Sequence, residues 1–252
     1  MAKSSDAELL TAMHTPEAIE RRIASGKSHS YLGDFVLGAV DGTVTTFAIV
    51  AGAAGAGLSS GVAIVLGLAN VAADGFSMAA SNFLKARADR QVVDRFRSME
   101  EMHIDRVPEA EREEIRQIFS AKGFDGSVLD SIVEVITDDR NRWVDTMLTE
   151  EWGLRLESPS PFRSGLTTFV AFVSAGLVPL LPLFLAAWLF SWQLFTASAV
   201  LTALTFFCIG LAQGRLAGRN ALWTGVETLL IGGTAASLAF VVGAWLKGMA
   251  SG

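Results

Sequence analysis

The sequence is poor in cysteine and in charged residues, and each shortage excludes a class of protein. A single cysteine, Cys208, rules out an internal disulfide. Only 18% of the 252 residues are charged while 51% are hydrophobic, which is too apolar for an ordinary globular domain. The first 30 residues are polar and lack the apolar core of a cleavable signal peptide, so none is expected. The composition is that of a polytopic membrane protein.

Five long apolar segments are predicted to cross a membrane, because about 20 helical residues at 1.5 Å each span the hydrocarbon. They lie at about 35–57, 61–84, 165–188, 193–213 and 226–246. No helix-breaking residue follows the second segment, which predicts one long helix that projects from the membrane. We therefore expect an all-α fold with five transmembrane helices and a helical subdomain inserted between spans 2 and 3.

The predicted organisation has four parts: an amphipathic N-terminal segment at 1–32, spans 1 and 2 at 33–84, a helical metal-binding domain at 85–164, and spans 3 to 5 at 165–252. The inserted domain is strongly acidic, since residues 98–157 hold 16 acidic side chains against 7 basic ones. Such a segment favours cations rather than nucleic acid as partners.

Lysine and arginine near the membrane predict the orientation. The N-terminal segment and the loops after spans 2 and 4 carry basic residues, whereas the short loops at 57–60 and 191–192 carry none. The positive-inside rule then places the N-terminus and the inserted domain in the cytoplasm and the C-terminus outside, with Lys247 as the exception. We expect the plasma (inner) membrane rather than that of an organelle.

Two acidic residues, Asp41 and Asp74, lie inside the first two predicted spans. A charge at the centre of a span costs at least ~2.5 kcal/mol, so such residues indicate a functional pathway. Asn70, Asp74 and Met78 are spaced four residues apart and share one face of span 2. Oxygen ligands suit divalent cations, and a thioether adds a preference for softer metals. These four residues form the predicted transport pathway, although Asp74 could instead cap a helix or pair with a base, and Met78 could simply pack.

A metal site is predicted in the inserted domain. Glu-x-x-His and Glu-x-x-Glu spacings on facing helices are typical of carboxylate metal sites in helix bundles. The alternative for any single glutamate is a solvated acidic face, but acid, imidazole and thioether recur at helical spacing on three predicted helices. The candidate ligands are Glu100, His103, Glu111, Glu114, Met147 and Glu151.

Several motifs together resemble the vacuolar iron transporter family. They cover the chain from about residue 31 and are, in order, DGTVTTFAIVAGAAGAG, ADGFSMAASNFL, VPEAEREEIRQIFSAKGF, WVDTMLTEEWGL and LVPLLPL. The resemblance implies a homodimer of five-span subunits that exports divalent iron from the cytosol in exchange for protons. It also implies a pathway enclosed by the dimer interface and a cytosolic domain that binds metal through glutamates and methionines.

By position, the resemblance places the family's span 1 acid on Asp41 and its span 2 methionine on Met78. The family's span 2 glutamate falls on Asn70, which removes a proton acceptor that Asp74 could replace. The family's metal-domain ligands fall on Glu100, Glu111, Glu114 and Glu151, with His103 at a further glutamate position and a methionine pair at Met147 and Leu148.

We therefore expect a non-enzymatic Fe2+/H+ antiporter that contributes to iron homeostasis and detoxification, with Asp41 exchanging metal for a proton. The expected partners are divalent metal ions, protons, the lipid bilayer and a second copy of the chain, with no tightly bound cofactor. A Mn2+ carrier of the same mechanism is the nearest alternative. A metal sensor without transport, a channel and a membrane-embedded hydrolase are the others; no histidine or serine constellation near the intramembrane acids supports the hydrolase.

Overall fold

Every regular element in the described part of the chain is helical. The computed structural model describes residues 11–25, 30–185 and 191–250, so the start of the N-terminal segment and the predicted end of span 3 at Trp188 lie outside the described residues. The elements are α1 Pro16–Ser25, α2 Leu32–Ala56, α3 Ser60–Arg106, α4 Pro108–Ala121, α5 Gly126–Asp138, α6 Arg140–Glu150, α7 Pro161–Gly176, a 3-10 helix Val178–Leu185, α8 Ser191–Leu216 and α9 Ala221–Ala250.

Five helical stretches are long and apolar enough to cross a membrane. They are Leu32–Ala56, Ser60–Arg106, Pro161–Leu185, Gln193–Leu216 and Ala221–Lys247. The prediction of an all-α protein with five spans is therefore confirmed.

The chain divides into two compact units. One, the span unit, comprises Tyr31–Arg87 and Ser160–Gly252; the other, the insert unit, comprises Met1–Ser30 and Ala88–Pro159. Helix α3 contributes residues to both. It is continuous over 47 residues and so is about 70 Å long, more than twice the ~30 Å of a bilayer core. The prediction of one long helix after span 2 is confirmed.

Helix α2 packs backbone to backbone against two other spans of the span unit. A Cβ atom on Gly42 would lie 2.4 Å from the carbonyl oxygen of Phe172 in α7. A Cβ atom on Gly243 of α9 would lie 2.2 Å from the carbonyl oxygen of Gly52 in α2. Small residues let membrane helices approach this closely, and here nothing larger than glycine fits.

Span 3 changes its helix type part of the way along. Helix α7 ends at Gly176, and a 3-10 helix with Pro182 inside it continues the span. Irregular backbone at membrane depth needs polar partners. The hydroxyl group of Ser198 on α8 provides one by donating a hydrogen bond to the carbonyl oxygen of Pro179 at 2.6 Å.

The insert unit has an apolar core of its own. Ile115, Trp143, Met147 and Leu148 are among its buried members.

Local sequence signals set the limits of the helices in the insert unit. Pro108 occupies the first turn of α4, and the carboxylate of Asp139 accepts a hydrogen bond from the backbone N–H of Arg142 at 2.8 Å to cap α6.

Candidate functional site

The structure brings three of the predicted metal ligands together in the insert unit. Glu100 and His103 lie one turn apart near the end of α3, and Glu111 lies in the first turn of α4. One ligand atom from each of these residues lies within 4.8 Å of the other two. Nδ1 of His103 lies 3.3 Å from Oε1 of Glu111.

The two carboxylates of this cluster are buried. Glu100 is 1% exposed and Glu111 is 2% exposed. The Oε2 atom of each accepts no hydrogen bond from the described residues. A buried, unpartnered carboxylate oxygen is costly unless a cation or a proton satisfies it. Two carboxylates and one imidazole are donors that suit divalent iron, manganese or zinc, so the residues present fit a transition-metal ion.

Protons compete for the same oxygens. The pKa of Glu111 is raised to about 8, mainly by burial. The negative charges of Glu114, Glu100 and Glu151 and a hydrogen bond with Glu100 also contribute. Partial desolvation and the charges of Glu100 and Glu114 raise the pKa of Glu151 to about 7. Without metal, the cluster therefore retains protons near neutral pH.

The other predicted ligands lie around this cluster in different ways. Glu114 and Glu151 are close enough for their charges to act on Glu111, and Glu114 is half-buried whereas Glu151 is exposed. Met147 is fully buried in the apolar core of the insert unit, in one cluster with Ile115 and Leu148. Its role as a ligand stays a prediction.

Sequence reasoning missed Trp152. Its indole N–H donates a hydrogen bond to Oε1 of Glu100 at 2.9 Å, and its ring packs against Phe96 with centroids 4.4 Å apart. Trp152 follows the end of α6, where helical spacing no longer predicts which way a side chain points. No pattern in the sequence pairs it with Glu100.

Two of the predicted pathway residues, Asn70 and Asp41, are linked by hydrogen bonds in the span unit. The amide of Asn70 donates a hydrogen bond to the hydroxyl oxygen of Thr45 at 3.2 Å, and that hydroxyl donates to the backbone carbonyl of Asp41 at 2.9 Å. The carboxyl groups of Asp41 and Asp74 are close enough to interact electrostatically. Met78 is half-buried one turn beyond Asp74 on the same helix.

A second polar cluster of the span unit was not assigned from the sequence. The amide of Asn82 on α3 donates hydrogen bonds to Oδ1 of Asp34 on α2 at 2.9 Å and to the hydroxyl of Thr168 on α7 at 2.8 Å. The signal that could have found Asn82 is its spacing, because it extends the four-residue repeat of Asn70, Asp74 and Met78 by one more step.

One acidic residue at the start of span 5 was also left unassigned. Glu227 is exposed within α9. It offers a carboxylate of the same unit that lies outside the predicted pathway.

Comparison with known proteins gives consistent matches along most of the chain. The profile of the VIT family matches residues 32–244. A vacuolar iron transporter of Toxoplasma gondii is 32% identical over 230 residues, which cover 87% of this chain and 76% of that protein. Vacuolar iron transporter 1 of Arabidopsis thaliana is 33% identical over 82% of each chain. Vacuolar iron transporter 1 of Oryza sativa subsp. japonica is 33% identical over 88% of this chain and 86% of its own.

Proposed function

The chain belongs to the VIT family, and from that membership we propose that it transports divalent iron across a membrane. The relatives compared above are iron transporters by name. Family membership also agrees with the expectation that the chain is not an enzyme. Iron is then the substrate of the spans and a ligand of the insert unit.

The buried cluster of the insert unit is the observation that carries the proposal. Glu100 and Glu111 each present a carboxylate oxygen that accepts no hydrogen bond from the described residues, and His103 adds an imidazole nitrogen beside them. In this proposal they capture the metal from the cytosol, with Glu114, Glu151 and Met147 as further ligands. The charge of the surrounding segment supports this role, because it attracts cations.

The intramembrane residues form the proposed path through the spans. Asp41, Asn70, Asp74 and Met78 would pass the metal across, and Asp41 would exchange it for a proton. Hydrogen bonds through Thr45 link the Asn70 amide to the backbone of Asp41, and Asp74 lies near enough to interact with the Asp41 carboxyl. When two carboxyl groups lie close together, the binding of a proton there can release a bound metal ion, and the binding of a metal ion can release a proton.

The proposed mechanism is Fe2+/H+ antiport out of the cytosol by a homodimer, with Mn2+ as the alternative substrate. Competition between protons and metal at Glu111 and Glu151 supports coupling on the cytosolic side. The homodimer is proposed from the resemblance to the family, and the exposed apolar side chains on α3, such as Val65 and Phe76, would face lipid or the partner. The names of the relatives favour a vacuolar membrane. The expectation of the plasma membrane differs from those names and stays a prediction.

Transport into proteoliposomes tests this function. We expect uptake of Fe2+ under reducing conditions, or of Mn2+, that depends on an imposed pH gradient and is abolished in Asp41→Asn. Glu109→Gln is the control, because it removes a carboxylate that is 90% exposed and outside both candidate sites, and it should transport normally. Gradient-independent flux would favour a channel. Metal binding without any flux would favour the sensor.

A further inference from the structure

Trp152 donates a hydrogen bond to one of the two carboxylate oxygens of Glu100, a candidate metal ligand. Its indole N–H is a donor only and points at Oε1 of Glu100 at 2.9 Å. The other oxygen of that carboxylate, Oε2, is buried and accepts no hydrogen bond from the described residues. The two oxygens of Glu100 are therefore unequal before any metal arrives.

The backbone around Trp152 keeps the indole in place. The N–H of Trp152 donates to the carbonyl of Met147 at 3.3 Å, and the N–H of Leu154 donates to the carbonyl of Leu148 at 2.9 Å. Gly153 between them adopts a φ of +62°, which favours glycine. The ring then packs on Phe96, which lies one turn before Glu100 on α3. The indole is thus fixed on both sides.

We propose that Trp152 determines which class of divalent ion the insert unit accepts, an inference that rests on the proposed function. Ca2+ takes six to eight oxygen ligands and commonly uses both oxygens of a glutamate. Bidentate use of Glu100 would make Oε1 serve both the indole N–H and the metal, whereas Oε2 accepts no hydrogen bond from the described residues. Iron and manganese ions can use one oxygen from each carboxylate together with the imidazole of His103. Trp152 therefore disfavours Ca2+ relative to transition metals.

The test compares Ca2+ and Mn2+ dissociation constants of the full-length protein in detergent, measured by calorimetric titration. Trp152→Phe removes the N–H but keeps a ring against Phe96, and Trp152→Leu is a second variant that also lacks the donor. Trp223→Phe is the matched control, since it removes an exposed indole from the span unit. Binding that disappears in Glu100→Gln is assigned to the insert unit.

We expect the ratio of the Ca2+ to the Mn2+ dissociation constant to fall by about tenfold in both Trp152 variants, since loss of a residue that orients a ligand commonly changes metal affinity by 10- to 100-fold. The control should keep the parent ratio. If Trp152 had a purely structural role, its replacement would weaken the binding of both ions by the same factor. The ratio of the two dissociation constants would then stay unchanged, and that result would overturn the proposal. A parent protein that binds neither ion would instead overturn the metal site itself.

Discussion

The imidazole of His103 lies 3.3 Å from a carboxylate oxygen of Glu111, a side chain that is almost completely buried. The contact joins the last turn of α3 to the first turn of α4. The same two atoms could ligate one ion, so metal and protons exclude each other there.

Metal-free protein is expected to lose stability as the pH rises from about 5 to about 8. The pKa of Glu111 is about 8 in the folded protein against 4.5 for a free glutamate side chain, so the folded state holds more protons in that window. This stabilisation is complete below the pKa of the free side chain and is lost as the pH rises through the pKa of the folded protein. Thermal unfolding of the chelator-treated protein, followed across this range, measures it.

One variant sharpens that experiment. Glu111→Gln should show a flatter pH profile because it removes the largest contributor, while Glu151, with a pKa of about 7, still adds its share. The groups that act on Glu111 in the parent are His103, Glu100, Glu114 and Glu151. Stability that rises over the same window would contradict the protonated cluster.

Metal affinity should rise over the same window, since each proton that the ion displaces can change the apparent dissociation constant by up to about tenfold per pH unit. Titration of Mn2+ at pH 6 and at pH 8 checks this. The same dissociation constant at both pH values would mean that the ion does not bind to Glu111 or Glu151.

Glu111→Gln should weaken Mn2+ binding by at least about tenfold, because it removes a charged ligand from the cluster. The matched control is Glu109→Gln. Both glutamates lie in the first turn of α4, but the Glu109 side chain is 90% exposed and outside the cluster. Equal losses in the two variants would show that only the general negative charge matters.

Asn82→Ala should destabilise the span unit by about 1–3 kcal/mol, the usual cost of leaving buried polar groups unpaired. The substitution removes the amide that bonds both Asp34 and Thr168. Thermal stability in detergent measures the effect, and Ser81→Ala, at an exposed neighbouring position, is the control. An Asn82 variant as stable as the control would show that the cluster contributes nothing to the fold.

Gly243→Ala should destabilise the protein by about 1–3 kcal/mol, the typical cost of overpacking. The new methyl group would meet the backbone carbonyl of Gly52 at 2.2 Å, which no side-chain movement relieves. Gly233→Ala on the same helix is the control, because its methyl group would meet nothing within 4 Å. Thermal unfolding of the two variants side by side gives the comparison.

The five spans could be predicted because hydrocarbon imposes a minimum length of apolar residues, which a sequence displays directly. The neighbourhood of Glu100 and His103 followed from spacing within a single helix. The indole of Trp152 could not be predicted, since it meets Glu100 across 52 residues and a helix end.

Spacing alone did not show how two side chains are packed. Met147 lies at ligand spacing from Glu151, yet it is on the buried face of α6 beside Trp143, Val144 and Leu148. Helical periodicity places residues on a face, but only packing decides what that face meets. Asn82 and Asp34 are 48 residues apart, so their contact depends on how two spans are arranged.

The glycine contacts of α2 have a mechanical consequence. Its backbone touches that of α7 at Gly42 and that of α9 at Gly243, with no side chain between them to act as a flexible layer. Sliding of one helix past another would drive carbonyl oxygens into neighbouring backbones. We therefore expect spans 1, 3 and 5 to move together. If the proposed pathway beside Asp41 opens alternately at its two ends, we expect the movement to come from elements outside these three spans.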